Sequence, residues 1–300
     1  MKITITGASG FVGQNLSSYL KNNHHSIESL SLRGNWLSKL DKNADAIIHL
    51  AGKAHDLENV SDESEYFKIN RDLTIQLFDE FLKSEMKDFF YFSSVKAVAD
   101  TAENIIQEDI VPNPLTPYGK SKFEAEQYLL AQNLPEGKRL FIIRPCMIHG
   151  PGNKGNLNLL YKVVEKGIPW PLSKFDNNRS FLSIDNLSYL VQEMLIKKTV
   201  KSGIYNFSDD QFLSTNELII AINKALERKA KFLPIPKGLI KAVAKCGDVI
   251  HFPLNSERIK KLTENYVVSN QKIKTALNIK QLPLSAEEGI IKTIKSFKQN

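Results

Sequence analysis

Cysteine and long apolar runs are the features that this 300-residue sequence has least of. Its two cysteines, Cys146 and Cys246, are too few for a disulfide framework or a cysteine-ligated metal cluster, which is typical of a protein from a reducing compartment. No segment approaches the roughly 18 uninterrupted apolar residues that a membrane-spanning helix needs. The composition therefore disfavours a disulfide scaffold, a metal centre and a helical membrane protein.

A secretion signal and a basic tract are also missing. MKITIT enters an apolar strand-like run at once, without the basic flank and long apolar region of a signal peptide, so we expect a cytoplasmic protein. The net charge is +7, but the lysines are scattered rather than collected in one tract with aromatic residues between them. This pattern disfavours nucleic-acid binding. It is consistent with attraction of phosphorylated ligands and equally with a solvated lysine-rich surface.

Short apolar runs alternate with helix-like segments through the first half of the chain. The predicted strands are Lys2–Thr6, Ser26–Leu32, Ala46–Leu50, Phe89–Ser93 and Leu140–Arg144. The predicted helices are Val12–Lys21, Glu65–Ser84 and Tyr118–Ala131. Most of the strands are almost continuously apolar, as expected for strands that are buried on both faces. The alternation predicts an α/β protein with a doubly wound parallel sheet, the Rossmann arrangement.

The motif TGASGFVG places Gly7, Gly10 and Gly13 directly after the first predicted strand and at the start of the first helix. Glycine at these positions lets the backbone turn tightly and approach a pyrophosphate at the helix N-terminus, although a plain strand-to-helix turn is the alternative. The second predicted strand lacks the terminal acidic residue that binds a free ribose 2′-hydroxyl, and Arg33 follows it. Arginine can pair with a 2′-phosphate, so NADP is favoured over NAD, unless Arg33 is only a surface residue.

A change in amino-acid composition after Arg144 predicts a second, smaller C-terminal α/β region. Glycine and proline cluster in RPCMIHGPGNKGN and KGIPWPL, which indicates loops. We predict an NAD(P)-binding Rossmann domain over residues 1–150 and a substrate-binding region over 151–300. The strand-like stretches Ser180–Ile184 and Gly203–Ser208 could return to the main sheet. In that case about 180–208 belongs to the first domain, and 151–179 and 209–300 form the second.

The motif TPYGKSK contains Tyr118 four residues before Lys122, which are on one helix face if Pro117 begins the helix. With nine tyrosines in a lysine-rich chain, one such pair is expected by chance. Upstream, however, YFSSVK ends the fourth predicted strand, where a doubly wound sheet places its site. A nearby ammonium is expected to lower the tyrosine pKa from about 10 to near 7. Tyr118 then exchanges a proton with a substrate oxygen, held by a serine, while hydride moves to or from a nicotinamide.

The motifs TGASGFVG, DAIIHLAG, EYFKIN, YFSSVK, PYGKSKFEAE, RPCMIHGPG and RSFLSIDN occur in this order over nearly the whole chain. With them the sequence resembles the extended short-chain dehydrogenase/reductase family, specifically its NAD(P)-dependent nucleotide-sugar epimerases and reductases. The resemblance implies that Ser94, rather than Ser93, is the catalytic serine. It also implies that Tyr118 is the base and that Lys122 is its partner, which binds the nicotinamide ribose.

The same resemblance implies two binding surfaces. Cofactor contacts are expected from Gly7, Gly10, Phe11, Val12, Gly13, Arg33, Leu50, Ala51, Gly52, Asn70, Tyr118 and Lys122. Contacts with a UDP-sugar are expected from Ser94, Asn156, Trp170, Arg179 and Arg258. Without the resemblance, Trp170 would be interpreted as a packed loop residue and Arg179 as a surface charge.

The sequence also favours some reaction types of this family over others. Dehydratases carry Asp–Glu directly after the catalytic hydroxyl residue, where this chain has Val95 and Lys96, so dehydration is disfavoured. The chain looks most like UDP-glucose 4-epimerase-like proteins that include C4 reductases of UDP-4-keto-sugars for surface polysaccharides, although Ala99 and Asp100 replace a commoner Tyr–Gly. We expect a 4-epimerase or 4-ketoreductase that forms a homodimer. The alternative is a catalytically inactive, NADP-sensing protein of the same fold.

Overall fold

The computed structural model describes residues 1–53, 62–153, 155–250 and 255–297. The strands are β1 (Lys2–Thr6), β2 (Ser26–Leu30), β3 (Ala46–His49), β4 (Asp88–Phe92), β5 (Arg139–Pro145), β6 (Met147–His149), β7 (Arg179–Ser183), β8 (Gly203–Phe207) and β9 (Phe212–Leu213). The helices are α1 (Phe11–Asn22), α2 (Glu63–Tyr66), α3 (Leu73–Leu82), α4 (Pro117–Ala131), α5 (Asn156–Glu165), α6 (Ile184–Ile196), α7 (Thr215–Ala225), α8 (Lys237–Ile250), α9 (Ser256–Thr263), α10 (Gln271–Leu277) and α11 (Ala286–Phe297). A π-helical segment, Phe67–Asp72, joins α2 to α3.

The main sheet has the strand order β2-β1-β3-β4-β5-β8 within the described residues, and all of its neighbouring strands are parallel. The predicted doubly wound parallel sheet is therefore confirmed. The chain leaves β1 for β2 on one side and then crosses to β3 on the other side. This change of direction opens a crevice at the carboxyl ends of β1 and β3, where sheets of this type bind their ligands.

Strand β4 shows why its sequence is almost continuously apolar. Successive side chains of a strand point to opposite faces of the sheet. Phe89 and Tyr91 pack in the core that includes side chains of α3 and α4, and Phe90 and Phe92 pack in the core that includes side chains of α1 and α6. Each buried aromatic side chain contributes about 1.5–3 kcal/mol, so both faces of β4 stabilise the sheet.

A second, three-stranded sheet contains β6, β7 and β9 within the described residues. Strand β7 pairs in parallel with β6 and antiparallel to β9. The expectation that Ser180–Ile184 returns to the main sheet is wrong, because β6 offers β7 a parallel partner just beyond β5. Strand β8, in contrast, pairs with β5 in the main sheet. The domain bounds predicted from the sequence stay a prediction.

Beside the three-stranded sheet, α5, α7 and α11 contribute to a separate apolar core. The predicted helix Glu65–Ser84 is interrupted by the π-helical segment, which was not predicted. Among the described residues, no helix is long and apolar enough to cross a membrane.

Candidate active site

The glycine loop joins β1 to α1 at the crevice of the main sheet. Gly7 has φ +70°, and a Cβ atom on it would lie 2.7 Å from the backbone nitrogen of Ala51. A Cβ atom on Gly13 would lie 2.3 Å from the carbonyl oxygen of Gly7. Both contacts are far too short, so only glycine allows this packing of loop, helix and strand. Gly10 caps α1 without a side-chain hydrogen bond, which leaves the N–H groups of the first turn available to an anion.

This loop fits the pyrophosphate of a dinucleotide. Phe11 and Val12, both partly buried, form the first turn of α1. At the neighbouring strand end, Leu50 donates its backbone N–H to the Thr6 carbonyl at 3.2 Å, and Ala51 donates its own to the Thr6 hydroxyl at 3.2 Å. The predicted cofactor residues of β1, α1 and β3 therefore meet at one edge of the sheet.

Arg33 lies exposed three residues beyond the end of β2. Its backbone N–H donates to the Ser31 hydroxyl at 3.4 Å. Ser31 directly follows β2, so the strand does not end in the carboxylate that would bind a ribose 2′-hydroxyl. This position is consistent with the predicted contact to a 2′-phosphate, which stays a prediction.

Ser94 and Tyr118 meet where β4 ends and α4 begins. The Ser94 side chain is near enough to lower the pKa of the Tyr118 phenol, and the Ser94 hydroxyl accepts the backbone N–H of Lys96 at 3.2 Å. Thr116 caps α4 by accepting the N–H of Gly119 at 3.1 Å. A Cβ atom on Gly119 would lie 2.4 Å from the Lys96 carbonyl oxygen. Glycine therefore lets α4 start against the segment that carries Ser94.

Lys122 lies one helical turn after Tyr118 and is 5% exposed. Its ammonium donates to the Phe92 carbonyl at 2.9 Å. A Cβ atom on Gly52 would lie 3.2 Å from the Lys122 nitrogen and 2.9 Å from the Asn70 side-chain oxygen. The absence of a side chain at Gly52 thus brings the end of β3, the π-helical segment and α4 together.

Asn70 lies in the π-helical segment and is fully buried. Its amide oxygen accepts the backbone N–H of Lys53 at 2.7 Å, and its amide nitrogen donates to the Lys53 carbonyl at 3.1 Å. It also donates to the Ser121 hydroxyl at 3.1 Å. π-helical turns are frequent at functional sites, and this one holds the chain after β3 against α4.

The titration of the tyrosine differs from the expectation. Burial raises the pKa of Tyr118 above its ordinary value of 10, and the hydrogen bond with Ser94 offsets this only in part. Burial likewise lowers the pKa of Lys122 to about 8, against the opposing charge of Glu126. The prediction of a tyrosine pKa near 7 is therefore wrong for this structure. Burial has the largest effect on this phenol, and the Lys122 ammonium donates its hydrogen bond to the Phe92 carbonyl instead.

A row of hydrogen-bonded polar side chains behind the site was not predicted. The His49 ring is hydrogen-bonded to the Thr6 hydroxyl at 2.7 Å and to the Thr74 hydroxyl at 2.8 Å. Burial, together with the charge of Lys122, lowers the pKa of His49 to about 3, so the ring is neutral at ordinary pH. No local spacing in the sequence indicates this hydrogen-bonded row, because its residues come from three separate elements.

Comparison with known proteins now decides the family. The sequence profile of the NAD dependent epimerase/dehydratase family matches residues 3–207, which is well over half of the chain. The protein belongs to this family. The family is NAD dependent, which agrees with the dinucleotide cofactor that the glycine loop predicted.

Individual relatives are distant in sequence but match nearly the whole length of this chain. It is 28% identical to the UDP-glucose 4-epimerase of Vibrio cholerae over 99% of its own length and 95% of the relative. It is 26% identical to the N-acetyl-alpha-D-glucosaminyl-diphospho-ditrans,octacis-undecaprenol 4-epimerase of Escherichia coli O157:H7, over 98% of its own length and 94% of that chain. The solved UDP-N-acetylglucosamine 4-epimerase of Bacillus cereus superposes with a TM-score of 0.77 at 20% identity, covering both chains completely. That likeness shows a shared fold.

The predicted substrate residues of this chain lie in different surroundings. Trp170 is only 5% exposed, within the apolar core of the second region, which favours its packing interpretation over a nucleobase contact. Arg179 begins β7, with its guanidinium 3.9 Å from the Glu264 carboxylate, and burial lowers its pKa. Asn156 begins α5 and Arg258 lies in α9, but their side chains are outside the described part of the structure.

The segment after Ser94, which departs from the family pattern, contacts the second region. Lys96 donates to the Asp100 carbonyl at 2.7 Å, and its ammonium lies 4.6 Å from the centre of the Tyr266 ring. The Tyr266 hydroxyl donates to the Ala99 carbonyl at 2.7 Å. The Asp100 carboxylate accepts the backbone N–H of Leu115 at 2.7 Å. Ala99 and Asp100 thus shape the loop beside the catalytic hydroxyl groups.

Proposed function

We propose that this protein is an NAD(P)-dependent enzyme that acts at C4 of a UDP-sugar, as a 4-epimerase or a 4-ketoreductase. The observation that supports this most strongly is the interaction between the Ser94 and Tyr118 side chains. It lies beside the buried ammonium of Lys122 at the strand ends that face the glycine loop. These groups suit proton exchange with an alcohol or carbonyl oxygen.

Each residue has a distinct part in this proposal. The cofactor, when bound, gives or accepts the hydride. Tyr118 moves the proton at the sugar oxygen, and Ser94 orients that oxygen. Lys122 holds the nicotinamide ribose, while the glycine loop holds the pyrophosphate. Because burial raises its pKa, Tyr118 is a neutral phenol at ordinary pH, which is the form that donates a proton to a ketone.

The substrate class is supported by the names of relatives. They include a UDP-glucose 4-epimerase, an epimerase of a lipid-linked N-acetylglucosaminyl diphosphate and a UDP-2-acetamido-2,6-beta-L-arabino-hexul-4-ose reductase. At the dehydratase acid–base positions this chain has Val95, which is buried, and Lys96, so elimination of water is not proposed. A role in surface polysaccharide synthesis fits these relatives. The homodimer and the cytoplasmic location stay predictions.

Identification of the bound cofactor and a substrate panel test the proposal. We expect purified protein to act on a UDP-hexose, a UDP-N-acetylhexosamine or their 4-keto derivatives. A polyprenyl-diphosphate-linked N-acetylglucosamine belongs in the same panel, with products separated by chromatography. Epimerisation without added cofactor would identify a 4-epimerase, and stoichiometric NADPH consumption a 4-ketoreductase. Cofactor binding without turnover of any substrate would support the inactive, NADP-sensing alternative instead.

The cofactor preference is tested by replacing Arg33 with serine. If its guanidinium pairs with a 2′-phosphate, NADPH affinity should fall about tenfold to a hundredfold, since hydrogen bonds to charged groups contribute roughly 1.5–3 kcal/mol. NADH affinity should not change. Fluorescence titration with both nucleotides measures this, and Arg228→Ser removes another exposed arginine as a matched control. Equal affinities of the Arg33→Ser variant and the parent for NADPH would show that Arg33 is only a surface residue.

A further inference from the structure

Helix α4 carries a third ionisable residue in line with the tyrosine and the lysine. Glu126 follows Lys122 by four residues, as Lys122 follows Tyr118, so the three lie on one face of the helix. Glu126 is 1% exposed. A carboxylate at such depth is costly unless it is paired and hydrogen-bonded. The presence of this carboxylate in the core therefore needs a structural or functional reason.

Two residues from neighbouring strand ends satisfy the Glu126 carboxylate. Arg144, 3% exposed on β5, donates through Nε to both oxygens at 3.1 Å and through Nη2 to Oε2 at 2.6 Å. The Ser93 hydroxyl donates to Oε1. The last guanidinium nitrogen, Nη1, donates to the Glu108 carbonyl at 3.2 Å. Glu126 thus lies between two buried cations, Arg144 and Lys122, and is bonded to the residue that precedes Ser94.

We propose that Glu126 is a positioning residue of this active site, which keeps Lys122 charged and in place and aligns Ser94 with Tyr118 through Ser93. The proposal rests on the proposed function, since it gives Lys122 and Ser94 their parts in it. Glu126 itself reaches the reaction only through these neighbours. The Ser93 hydroxyl already donates a hydrogen bond to the Glu126 carboxylate. This explains why Ser93 is unsuited to be the catalytic serine.

The groups around Lys122 show that Glu126 supplies the negative charge that acts on its ammonium. From β4, the Tyr91 ring centre lies 5.0 Å from the ammonium, and burial keeps this phenol neutral by raising its pKa well above 10. From β3, His49 stacks on Tyr91 at 5.8 Å and is also neutral. On α4 itself, Tyr118 is a neutral phenol. Among the described residues, Glu126 is the acid whose charge raises the pKa of Lys122 against burial.

The charged groups near the Tyr118 ring on the α2 side form an ion pair with each other. Tyr66 of α2 contacts the Tyr118 ring edge-on at 6.3 Å. The Lys53 ammonium lies 5.4 Å from the centre of the Tyr66 ring and is paired with Glu65. Neither Tyr66 nor Lys53 supplies the negative charge that Glu126 provides to Lys122.

The decisive experiment measures NAD(P)H affinity and kcat/KM against pH in neutral-pair variants. Glu126→Gln alone would leave Arg144 as an uncompensated buried cation, so the double variant Glu126→Gln/Arg144→Met is used to preserve folding. In the parent protein, the loss of cofactor affinity at alkaline pH should have its midpoint near the Lys122 pKa of about 8. In the double variant the midpoint should move about one pH unit lower, because the ammonium loses its counter-charge. The conservative Glu126→Asp variant should retain most of the parent profile.

A second buried ion pair offers a matched control. Asp88 and Arg139 join the opposite, amino-terminal ends of β4 and β5, at 2.7 and 2.8 Å. The variant Asp88→Asn/Arg139→Met should alter thermal stability without moving the alkaline midpoint. If the Glu126→Gln/Arg144→Met variant also keeps the parent midpoint, Glu126 is only structural and the proposal is wrong. The cofactor titration gives this answer even if no UDP-sugar is turned over, in which case the proposed function fails separately.

Discussion

Replacement of Tyr118 by phenylalanine is expected to lower kcat by about 10²–10⁴-fold, the usual contribution of a positioned acid or base. The ring would keep its edge-on contact with Tyr66, and only the hydroxyl that interacts with Ser94 would be lost. Folding and cofactor affinity should therefore change little. The rate loss should appear in single-turnover measurements, in which hydride transfer is followed by nicotinamide absorbance.

Tyr128→Phe is the matched control for this variant. Tyr128 lies on the same helix, and its hydroxyl donates to the Asp79 carboxylate of α3 at 2.9 Å. It should retain parental kcat. If Tyr118→Phe also kept full turnover, proton transfer by Tyr118 would be excluded. The reaction would then need another acid or base.

Replacement of Gly13 by alanine is expected to lower NAD(P)H affinity by about tenfold to a hundredfold or more. The new Cβ atom would lie 2.3 Å from the Gly7 carbonyl oxygen and 2.6 Å from the Ala8 Cα atom. Both neighbours are backbone atoms, so the loop itself must move, and overpacking of this kind typically costs about 1–3 kcal/mol. The displaced atoms belong to the turn that should hold the pyrophosphate. Fluorescence titration of the cofactor measures the loss.

Gly238→Ala controls for a general effect of a glycine replacement. Gly238 lies in α8, and a Cβ atom there would meet no atom within 4 Å. Alanine also favours helix over glycine, so this variant should keep parental affinity and thermal stability. Circular dichroism checks that both variants are folded. Unchanged affinity in folded Gly13→Ala protein would mean that the cofactor does not depend on this loop.

The parts of the site that were predictable are those specified by local spacing. Gly7, Gly10 and Gly13 form a turn over seven residues, and the steric reason for each glycine acts within that turn or against the next strand. Tyr118 and Lys122 share a helix face because a helix repeats every 3.6 residues. The apolar strands were predictable because burial on both faces leaves few polar positions.

The parts that were missed depend on residues far apart in the chain. Glu126 and Arg144 are on different elements and meet only when α4 packs across β4 and β5. The i+4 spacing of Glu126 from Lys122 was the one signal available for it. Tyr266 reaches the loop after Ser94 from 167 positions further along the chain. Likewise, strand pairing depends on which partners are near, and the sequence of β7 does not specify them.

The sequence by itself determined the doubly wound fold and the glycine loop, because these follow from helical and strand periodicity and from the sterics of short turns. The family and the candidate catalytic residues came from the resemblance that its ordered motifs carry. The tertiary structure decided the electrostatics and the surroundings of each group. It showed that burial raises the pKa of Tyr118, that Trp170 packs in a core, and that Glu126 is bonded to Ser93. Desolvation depends on how deeply the folded protein buries an ionisable group, and composition and spacing do not determine that depth.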